Sequence, residues 1–556
     1  MTLAPLPVGI QDFAQLRKRG CVYVDKTELV HSLVTGSTAA FLSRPRRFGK
    51  SLLVSLLKEL YEGNEELFRG LWIHDHWDWS RRHPVVRISF GTGKFQQRGA
   101  LQDRQHAEID AEASRLGVEL RATTAYSRFA ELLRILGLRG PRPVVLIDEY
   151  DKPILQCLEG MRSEGNRSPF ATGAALPPQD ERRAWEAREE ELSILEENRQ
   201  DLRAFYSCLK DASPEFLLLT GVSRLAKASV FSELNHLKDI TWREDFATLC
   251  GITQEELERD FVGHLEAMSA SKGVSVDALL DRLRRDYNGF RFAAGDSVPT
   301  VYNPFSTCRC LDDRAFGSFW TETGTPEFLV RMMRATGTEL SDVEGLLLPQ
   351  SALSTLDPDR PDVLPLLLQT GYLTIAGWDG DNFRLGFPNR EVRTAFVEHL
   401  LIVVHDRSVR EVAPRAQAIA KALDSGNLER FFLEMKRVFT GIAYQLDDAH
   451  EKRYHGLFQA MCILSFSPPG VVVAEVPNAL GRCDLVLDMP DSTWIFEFKR
   501  DTDTEVALRQ IAEKEYDRVW EGRTRADGTP KPVRWIAVTF GAKERNIVAW
   551  EAKPEA

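Results

Sequence analysis

The sequence predicts an α/β protein in three parts: an N-terminal parallel sheet flanked by helices, a mostly helical middle region and a C-terminal α/β domain. Three observations predict this fold class. An early apolar run leads into a Gly-Lys-Ser loop and a helical pattern, a second apolar run ends in paired carboxylates, and a late pair of strand-like segments flanks a tight turn. The length of 556 residues is enough for about two to four domains, each with its own core.

The composition is that of a soluble globular protein, with 43% apolar and 28% charged residues. No apolar run approaches the roughly 20 residues needed to span a bilayer, and the N-terminus lacks the basic and apolar regions of a secretory signal. The 8 scattered cysteines match neither a zinc spacing nor a disulfide framework. We therefore expect a cytoplasmic protein without membrane contact. The net charge of −11 argues against a generally basic DNA-coating protein but leaves room for a local basic groove.

The first 38 residues hold a helix candidate, Glu28–Val34, preceded by the segment Tyr23–Thr27. Asp25 or Thr27 is suited to cap this helix, because short polar side chains accept hydrogen bonds from the free backbone N–H groups of its first turn. The segment also lies close in sequence to the Gly-Lys-Ser loop, which makes it a candidate wall of an adenine pocket. Both interpretations, a helix cap and a pocket wall, stay open.

The loop that ends in Gly-Lys-Ser has the context of a phosphate-binding loop, since the apolar run Ala39–Leu42 precedes it and the helical pattern Leu52–Tyr61 follows it. Backbone N–H groups at a helix N-terminus face an anion, the lysine reaches the β- and γ-phosphates of ATP, and the serine hydroxyl ligates Mg²⁺. Arg44 stands where such loops usually open with glycine, so a basic turn before a buried helix is the alternative. The predicted nucleotide-binding residues of the loop are Arg47, Phe48, Gly49, Lys50, Ser51 and Leu52.

Paired acids after a second apolar run favour nucleotide binding over that alternative. The run Pro143–Ile147 is followed directly by Asp148 and Glu149. This pattern predicts a buried parallel strand whose carboxyl end meets a ligand crevice. Asp148 is placed to hold the Mg²⁺ of Ser51 through water, and Glu149 to polarise the attacking water. We therefore predict an ATPase in this part of the chain.

Further elements complete the predicted N-terminal domain. Val85–Phe90 predicts another strand, and residues 101–136 predict two helices. Residues 159–183 combine Gly, Ser, Pro and charge without periodicity, which predicts a flexible insertion. The charged pattern from Ala184 to Lys210 predicts a helix with a solvated face.

The apolar run Phe216–Leu219 predicts a third buried strand that ends in polar residues. In P-loop ATPases of the AAA type, this position carries a group that senses the γ-phosphate. Ser223 is the first choice for that role and Thr220 the second, while Arg224 or Lys227 is suited to act as a charge finger. An ordinary transition from strand to loop explains the same residues.

The region from 241 to 435 is predicted to be mostly helical and to hold no catalytic residue. Asp286–Phe292 and Val301–Phe305 are rich in turn formers and aromatic residues, and we expect them to pack a lid or hinge rather than bind a cofactor. Leu366–Ile375 and Phe383–Pro388 are predicted strands of a small winged-helix-like or linker unit.

Two strand-like segments near the C-terminus, Cys483–Asp488 and Trp494–Lys499, flank a turn at Met489–Ser492. A hairpin centred in the middle of that turn places Asp484 opposite Glu497. Because directly opposed residues lie about 4.5–5.5 Å apart at Cβ, the two carboxylates are expected to converge.

The converging carboxylates predict a site for Mg²⁺ or Mn²⁺, hard cations that prefer oxygen ligands. A cation bound by Asp484 and Glu497 lowers the pKa of a water molecule and offsets charge on a phosphate under attack. Lys499, one step along the strand, is placed to orient the water or the scissile phosphate. The alternative is an amphipathic hairpin with a Glu/Lys solvent face.

The segments around the hairpin favour the metal site. Upstream, Glu451 and Tyr454-His455 begin a helix that could bring a further acid, so Glu451 is predicted as an additional metal ligand. Downstream, Val506–Tyr516 predicts a helix and Val533–Phe540 a strand. The resulting order αβββαβ, with acids on the first helix and on the second and third strands, is that of a nuclease core.

The sequence resembles the bacterial and archaeal proteins that join a predicted AAA-ATPase-like domain to a C-terminal nuclease domain of the PD-(D/E)XK superfamily. The resemblance covers nearly the whole chain. Its motifs are Tyr23–Thr27, Arg44–Ser51, Ile147–Pro153, Thr220–Ser223, Glu451, Tyr454-His455, Gly481–Asp484, Glu497–Lys499 and Gln510-Ile511. It implies ATP binding with Mg²⁺, phosphodiester cleavage and a restriction-endonuclease-like C-terminal fold, and it makes Arg44 in place of glycine a family trait. Cys483 stands where the superfamily name has proline.

These inferences divide the chain into an AAA-like P-loop ATPase core at 1–240, a helical lid or linker region at 241–435 and a nuclease-like domain at 436–556. We expect ATP hydrolysis in the first part to be coupled to metal-dependent cleavage of DNA in the last, with Mg²⁺ as cofactor and Mn²⁺ as an alternative at the nuclease site. The rival hypothesis is a nucleotide-dependent switch whose C-terminal domain binds nucleic acid or protein without cutting. Action on RNA and assembly into a homo-oligomer stay open.

Overall fold

The chain forms two compact units. The N-terminal unit comprises Met1–Gly324 and Leu346–Asn389, and the C-terminal unit comprises Thr325–Gly345 and Arg390–Ala556. The two units therefore share the predicted middle region, and their limits differ from the expected boundaries at 240 and 435. The structure is a computed structural model that describes residues 3–160, 179–225, 237–295, 297–320, 327–336, 338, 340, 343–353, 356–358, 361–405, 409–440, 451–466 and 471–553. Among the helices it describes, none is long and apolar enough to cross a membrane.

The N-terminal unit contains a parallel five-stranded sheet. Its strands are β1 (Ala39–Ser43), β2 (Val85–Ser89), β3 (Val144–Asp148), β4 (Phe216–Gly221) and β5 (Lys238–Asp239). They lie in the order β2-β3-β4-β1-β5, and all neighbours are parallel. Every residue of β1, β3 and β4 is buried, as near-continuous apolar runs require at the centre of a parallel sheet. Since β4 lies between β1 and β3, its carboxyl end separates the Gly-Lys-Ser loop from the paired acids.

Seven helices in the described residues belong to the same region. They are α1 (Phe13–Lys18), α2 (Thr27–Gly36), α3 (Lys50–Tyr61), α4 (Ala100–Arg115), α5 (Ala125–Arg139), α6 (Lys152–Gly160) and α7 (Gln179–Ala212). α4 and α5 confirm the two helices predicted between 101 and 136, and α7 contains the predicted charged helix. Most of the insertion predicted at 159–183 lies outside the described residues.

The chain after the sheet is mainly helical, as predicted. The next helices are α8 (Gln254–Asp260), α9 (Val262–Lys272), α10 (Val276–Tyr287), α11 (Pro304–Asp313) and α12 (Glu327–Thr336). α8 to α11 belong to the N-terminal unit and share one apolar core, which includes Leu257, Leu265, Leu283 and Leu311. α12 belongs to the C-terminal unit.

A small antiparallel sheet in the N-terminal unit corrects one predicted strand. Its elements are β6 (Leu347–Pro349), α13 (Gln350–Leu353), α14 (Val363–Thr370), β7 (Thr374–Asp379) and β8 (Asn382–Gly386), with the strand order β6-β8-β7. The strand predicted over Leu366–Ile375 is wrong for its first half, which is the end of α14. Asp362 caps α14, and Gly371 at φ 87° ends it before β7 begins. The strand predicted over Phe383–Pro388 is confirmed as β8.

The C-terminal unit has its own five-stranded sheet. The strands are β9 (Val471–Pro477), β10 (Arg482–Asp488), β11 (Thr493–Arg500), β12 (Val533–Gly541) and β13 (Asn546–Lys553), in the order β13-β12-β11-β10-β9. The helices are α15 (Arg390–His405), α16 (Val409–Asp424), α17 (Leu428–Phe439), α18 (Glu451–Phe466) and α19 (Thr504–Glu513). β11 and β12 are parallel, and α19 lies in the crossover between them. The order α18-β9-β10-β11-α19-β12 is the predicted αβββαβ order.

The hairpin of β10 and β11 has the register predicted from its turn. The paired residues run from Leu485 with Phe496 to Asp488 with Thr493, and a hydrogen bond of 2.9 Å from the Met489 N–H to the Ser492 carbonyl closes the turn. One face of this sheet packs phenylalanines against α17 and α18, with ring centroids 5.0 to 6.4 Å apart. The rings are those of Phe431, Phe458, Phe496, Phe498 and Phe540.

Candidate functional sites

The loop between β1 and α3 brings backbone groups and a lysine to the end of the sheet. Arg47 and Gly49 adopt left-handed backbone conformations, at φ 65° and φ 90°. α3 therefore begins directly at Lys50, and the free N–H groups of its first turn border the loop. The buried Lys50 ammonium donates hydrogen bonds to the carbonyl oxygens of Arg44 at 2.8 Å and Pro45 at 2.9 Å. Burial lowers the pKa of Lys50, and the carboxylates at and just after the end of β3 oppose that shift. Ser51 follows in the first turn of α3 and is half-buried.

Arg44, which replaces the usual glycine, is a buried anchor of this loop. Its side chain is 1% exposed. The guanidinium donates to the carbonyl oxygens of Ser43 at 2.9 Å, Thr241 at 2.6 Å and Phe246 at 3.0 Å. Its Cζ lies 4.2 Å from the centre of the Phe292 ring. Burial lowers the pKa of Arg44 to about 10.

The two aromatic segments of the middle region contact the loop itself. The Phe48 ring makes edge contacts with Phe290 and Phe292, with centroids 4.8 and 5.3 Å apart. The Arg47 guanidinium lies 3.7 Å from the centre of the Phe305 ring. These segments therefore pack, as expected, and they pack against the phosphate loop. Their aromatic rings contact the side chains of Arg47 and Phe48, two of the predicted nucleotide-binding residues.

The paired acids lie at the carboxyl end of β3. Asp148 is buried, and its Oδ1 accepts hydrogen bonds from the Thr220 hydroxyl at 2.7 Å and from the Glu149 N–H at 3.0 Å. Glu149 has a left-handed backbone at φ 54°, and its carboxylate lies 3.2 Å from the Lys152 ammonium. Thr220 therefore connects the end of β4 to Asp148 through a side-chain hydrogen bond.

Ser223, the first choice for a γ-phosphate sensor, has a different partner. It is fully buried, and its hydroxyl donates to Asp151 Oδ2 at 2.6 Å. The structure therefore brings Thr220, the second choice, to Asp148, and ties Ser223 to Asp151. Arg224 pairs with Asp239, so its charge is engaged within the unit. Lys227 lies outside the described residues.

A mostly apolar cavity of about 110 Å³ lies beside the phosphate loop. It adjoins the early segment for which the sequence left two interpretations open. Asp25 Oδ1 accepts from the N–H of Thr27, the first residue of α2, at 2.9 Å. Neighbouring side chains of the same segment line the cavity together with the start of α3. The lining residues of these two stretches include Tyr23, Val24, Lys26, Gly49 and Leu52.

In the C-terminal unit, the predicted acids Asp484 and Glu497 lie next to the last residue pair of β10 and β11. The backbone pairing ends at Leu485 and Phe496, and Asp484 Oδ2 instead accepts from the N–H of Phe498 at 2.7 Å. Burial and the charge of Glu497 raise the pKa of Asp484 well above its usual range. Glu497 is 1% exposed and accepts from the Lys499 ammonium at 2.9 Å.

Asp484 also belongs to a second group, with His455 and Glu475. One ligand atom from each of these three residues lies within 4.8 Å of the others, and His455 Nδ1 is 4.0 Å from Asp484 Oδ1. Two carboxylates and an imidazole are a donor set that suits a divalent cation. In the described residues this is the group with metal-ligand spacing, and Glu497 is not part of it. Glu451 begins α18, but its side chain lies outside the described residues.

Sequence reasoning did not find Glu475 and gave His455 no ligand role. Glu475 lies between the pairs Val476–Cys483 and Ala474–Leu485, so the register of β9 and β10 places it opposite Asp484. The turn that fixes this register is closed by a 2.9 Å hydrogen bond from the Asn478 N–H to the Gly481 carbonyl. An Asn-to-Gly turn between two apolar strands was the available signal.

Comparison with known proteins agrees with this arrangement. Residues 7–168 match the model of a family described as predicted AAA-ATPase, and residues 449–550 match that of the PD-(D/E)XK nuclease superfamily. The chain is 33% identical over 563 residues to an uncharacterized protein in the vnfD 5′ region of Azotobacter chroococcum mcd 1, covering 99% of each chain. No solved structure matches. The chain therefore belongs to the same family as this Azotobacter protein, and it joins a predicted AAA-ATPase domain to a domain of the PD-(D/E)XK nuclease superfamily.

Proposed function

We propose that this protein binds and hydrolyses ATP in its N-terminal unit and uses a divalent cation in its C-terminal unit to cleave phosphodiester bonds of DNA. One observation carries the proposal. The chain holds two separate sets of charged side chains of the types that contact phosphates and cations, Lys50 with Asp148 and Asp484 with Glu497 and Lys499. Each set lies within the range that the corresponding family model matches.

For ATP, the triphosphate would lie at the start of α3. The backbone N–H groups of that turn favour an anion, and the Lys50 ammonium would exchange its two loop carbonyls for phosphate oxygens. Ser51 and Asp148 would hold Mg²⁺, and Glu149 would polarise the attacking water. The cavity beside the loop would receive the adenine ring. Thr220 is better placed than Ser223 to respond to the γ-phosphate, because it already contacts Asp148.

For cleavage, Asp484 and Glu497 would hold Mg²⁺ or Mn²⁺. Their mutual repulsion and burial, which raise the pKa of Asp484, favour a cation between or beside them. A cation there lowers the pKa of water and offsets charge on the phosphate. Lys499, paired with Glu497 at 2.9 Å, would orient the water or the scissile phosphate.

Two substitutions separate the activities. Glu497→Gln should abolish cleavage of plasmid, linear and single-stranded DNA in Mn²⁺ while leaving ATP turnover intact. Lys50→Ala should abolish ATP turnover, because it removes the ammonium group that is proposed to contact the phosphates. Glu505→Gln, at an exposed carboxylate of α19, is the matched control and should leave both activities unchanged.

Loss of ATP turnover and cleavage together in Glu497→Gln would contradict two separate sites. Changed cleavage in Lys50→Ala, with or without ATP, would measure the coupling between them. Parallel reactions with RNA decide between the two nucleic acids.

A switch that binds without cutting is the second candidate. It is favoured by the burial of Glu497 and by its absence from the group of ligand atoms around Asp484. A switch would hydrolyse ATP normally and show no Mg²⁺- or Mn²⁺-dependent hydrolysis of any DNA or RNA. A cytoplasmic location and assembly into homo-oligomers are further parts of the proposal, to be tested by fractionation and by light scattering.

A further inference from the structure

We infer that His455 and Glu475 join Asp484 as protein ligands of the C-terminal cation, and that this set selects a first-row transition cation, Mn²⁺, over Mg²⁺. The inference rests on the proposed metal-dependent function and deepens it. It adds His455 from the helix α18 and Glu475 from the edge strand β9, two residues to which the sequence analysis gave no ligand role.

The geometry brings three elements to one point. The ligand atoms of the three residues lie within 4.8 Å of one another, and the His455–Asp484 separation of 4.0 Å is too long for a hydrogen bond. Two ligands bound at about 2.0–2.2 Å to one ion are at most about 4.4 Å apart, and three ligands of one ion lie closer, at about 3–4 Å from one another. Side-chain shifts of about an ångström would therefore bring the three atoms to a common cation.

The backbone of β9 supports a specific role for Glu475. It has φ 54° inside a strand, a backbone conformation that is strained for a non-glycine residue. Its carboxylate Oε2 lies 2.6 Å from Arg482 Nε, an ion pair that fixes the group through one oxygen. A charged partner that orients a ligating carboxylate is typical of metal sites. Strain at this residue, at the position opposite Asp484, is accounted for if Glu475 serves the cation.

The donor types set the metal preference. Mg²⁺ takes oxygen ligands almost exclusively and keeps several waters, whereas imidazole is a ligand for transition cations. Carboxylates suit Mn²⁺ as well, so two carboxylates with one imidazole fit Mn²⁺ better than Mg²⁺. His455 also contacts the Phe498 ring, at a centroid distance of 4.6 Å, which restricts the orientation of its own ring.

Electron paramagnetic resonance of free Mn²⁺ tests the ligand set without ATP or nucleic acid. The full-length protein should bind Mn²⁺, and Mg²⁺ should displace it only at more than about tenfold higher concentration. Glu475→Gln and His455→Gln should each raise the Mn²⁺ dissociation constant by more than about tenfold. His455→Asp should reduce the difference between the dissociation constants of Mn²⁺ and Mg²⁺. Glu505→Gln is the matched control, and near-UV circular dichroism checks that each variant is folded.

Wild-type Mn²⁺ affinity in Glu475→Gln and His455→Gln, together with loss in Asp484→Asn, would overturn the inference, as would absence of binding by the unmodified protein. Cleavage assays on the same samples separate this outcome from the proposed function. If Mn²⁺ binds through the three residues and no nucleic acid is cleaved, the ligand set is supported and the proposed nuclease activity is refuted. If nucleic acid is cleaved and both variants keep their Mn²⁺ affinity, the nuclease activity is supported and the ligand set is refuted.

Discussion

Arg44 shows how one side chain can replace the freedom of a glycine. A glycine at the start of a phosphate-binding loop lets the backbone turn without a steric cost. In this protein the turn is instead fixed by the buried Arg44 guanidinium, which donates to three backbone carbonyls and lies on the Phe292 ring. The Lys50 ammonium donates to the backbone carbonyls of Arg44 and Pro45. The Arg44 side chain therefore positions Lys50 by fixing the backbone to which the lysine is bound.

Restoring the usual glycine should therefore damage the loop. Arg44→Gly leaves buried carbonyls without donors and opens a cavity, so the N-terminal unit should lose at least about 3 kcal/mol of unfolding free energy. ATP binding, measured by calorimetry, should weaken by more than about tenfold. Arg46→Gly makes the same change at a side chain of the same loop that is 43% exposed, and it should have a small effect on both. Equal ATP affinity in Arg44→Gly and the unmodified protein would refute the anchoring role.

The positions of single residues in the fold were predictable where a local pattern fixes them. Lys50 and Asp148 follow from a loop and from the end of a strand, and Asp484 and Glu497 follow from the register of one hairpin. Glu475 does not, because its nearness to Asp484 depends on a second hairpin register. The choice between Ser223 and Thr220 was equally hidden, since both are fully buried and no alternation of polarity marks which one faces Asp148.

At the scale of elements, the segment Asp286–Phe292 is the support of the phosphate loop. It ends α10 and supplies the rings that contact Phe48 and Arg44. Its own position is fixed from another side, where the Asn389 side chain donates to the Asn288 carbonyl at 2.7 Å. Gly289 packs so closely there that a Cβ would lie 1.8 Å from the Pro388 carbonyl oxygen.

Gly289→Ala should displace this support. The residue has φ 95°, so alanine adds a backbone cost of about 1–2 kcal/mol to a steric clash with main-chain atoms. We expect a total loss above about 3 kcal/mol in urea unfolding, accompanied by weaker ATP binding. Gly70→Ala is matched in backbone, at φ 78°, but has nothing within 4 Å of the added carbon. It should show the backbone cost alone, and equal losses in the two variants would argue against the clash.

Elements were predictable in proportion to how local their signals are. The αβββαβ order and the hairpin register were correct, because a tight turn and alternating apolar residues specify pairing between neighbours in sequence. The strand predicted over Leu366–Ile375 failed at the same test. A short apolar run does not distinguish a buried helix turn from a strand. Gly371 marks the end of α14 through its left-handed backbone conformation, which is visible only in the structure.

At the scale of the molecule, each unit is assembled from two separate stretches of chain. Thr325–Gly345 leaves the N-terminal unit to supply α12 to the C-terminal unit, and Leu346–Asn389 returns. Sequence reasoning gave contiguous domains, because composition and periodicity report on local structure and not on which distant stretch a helix packs against. The stretches 325–345 and 390–435 were therefore assigned to a linker although they complete the C-terminal unit.

Two cores predict two unfolding transitions. Each unit has its own sheet and buried apolar cluster, so a urea titration followed by circular dichroism should show two steps. Mg²⁺ with ATP at 100 times its dissociation constant should stabilise one step by about 2.7 kcal/mol, and Mn²⁺ without nucleotide should stabilise the other. Glu497→Gln and Lys50→Ala identify which step belongs to which unit. A single step shifted by either ligand would mean that the units unfold together.

The alternation of stretches also limits how this architecture can be inherited. A recombination event that moves only the segment matching the nuclease superfamily, 449–550, would leave behind α12 and α15 to α17. Phe431 on α17 packs against Phe458 and Phe496, so the transferred piece would arrive with part of its core uncovered. The two units alternate along the gene at three junctions, so a lineage that replaces one unit must change the chain at every junction with the other.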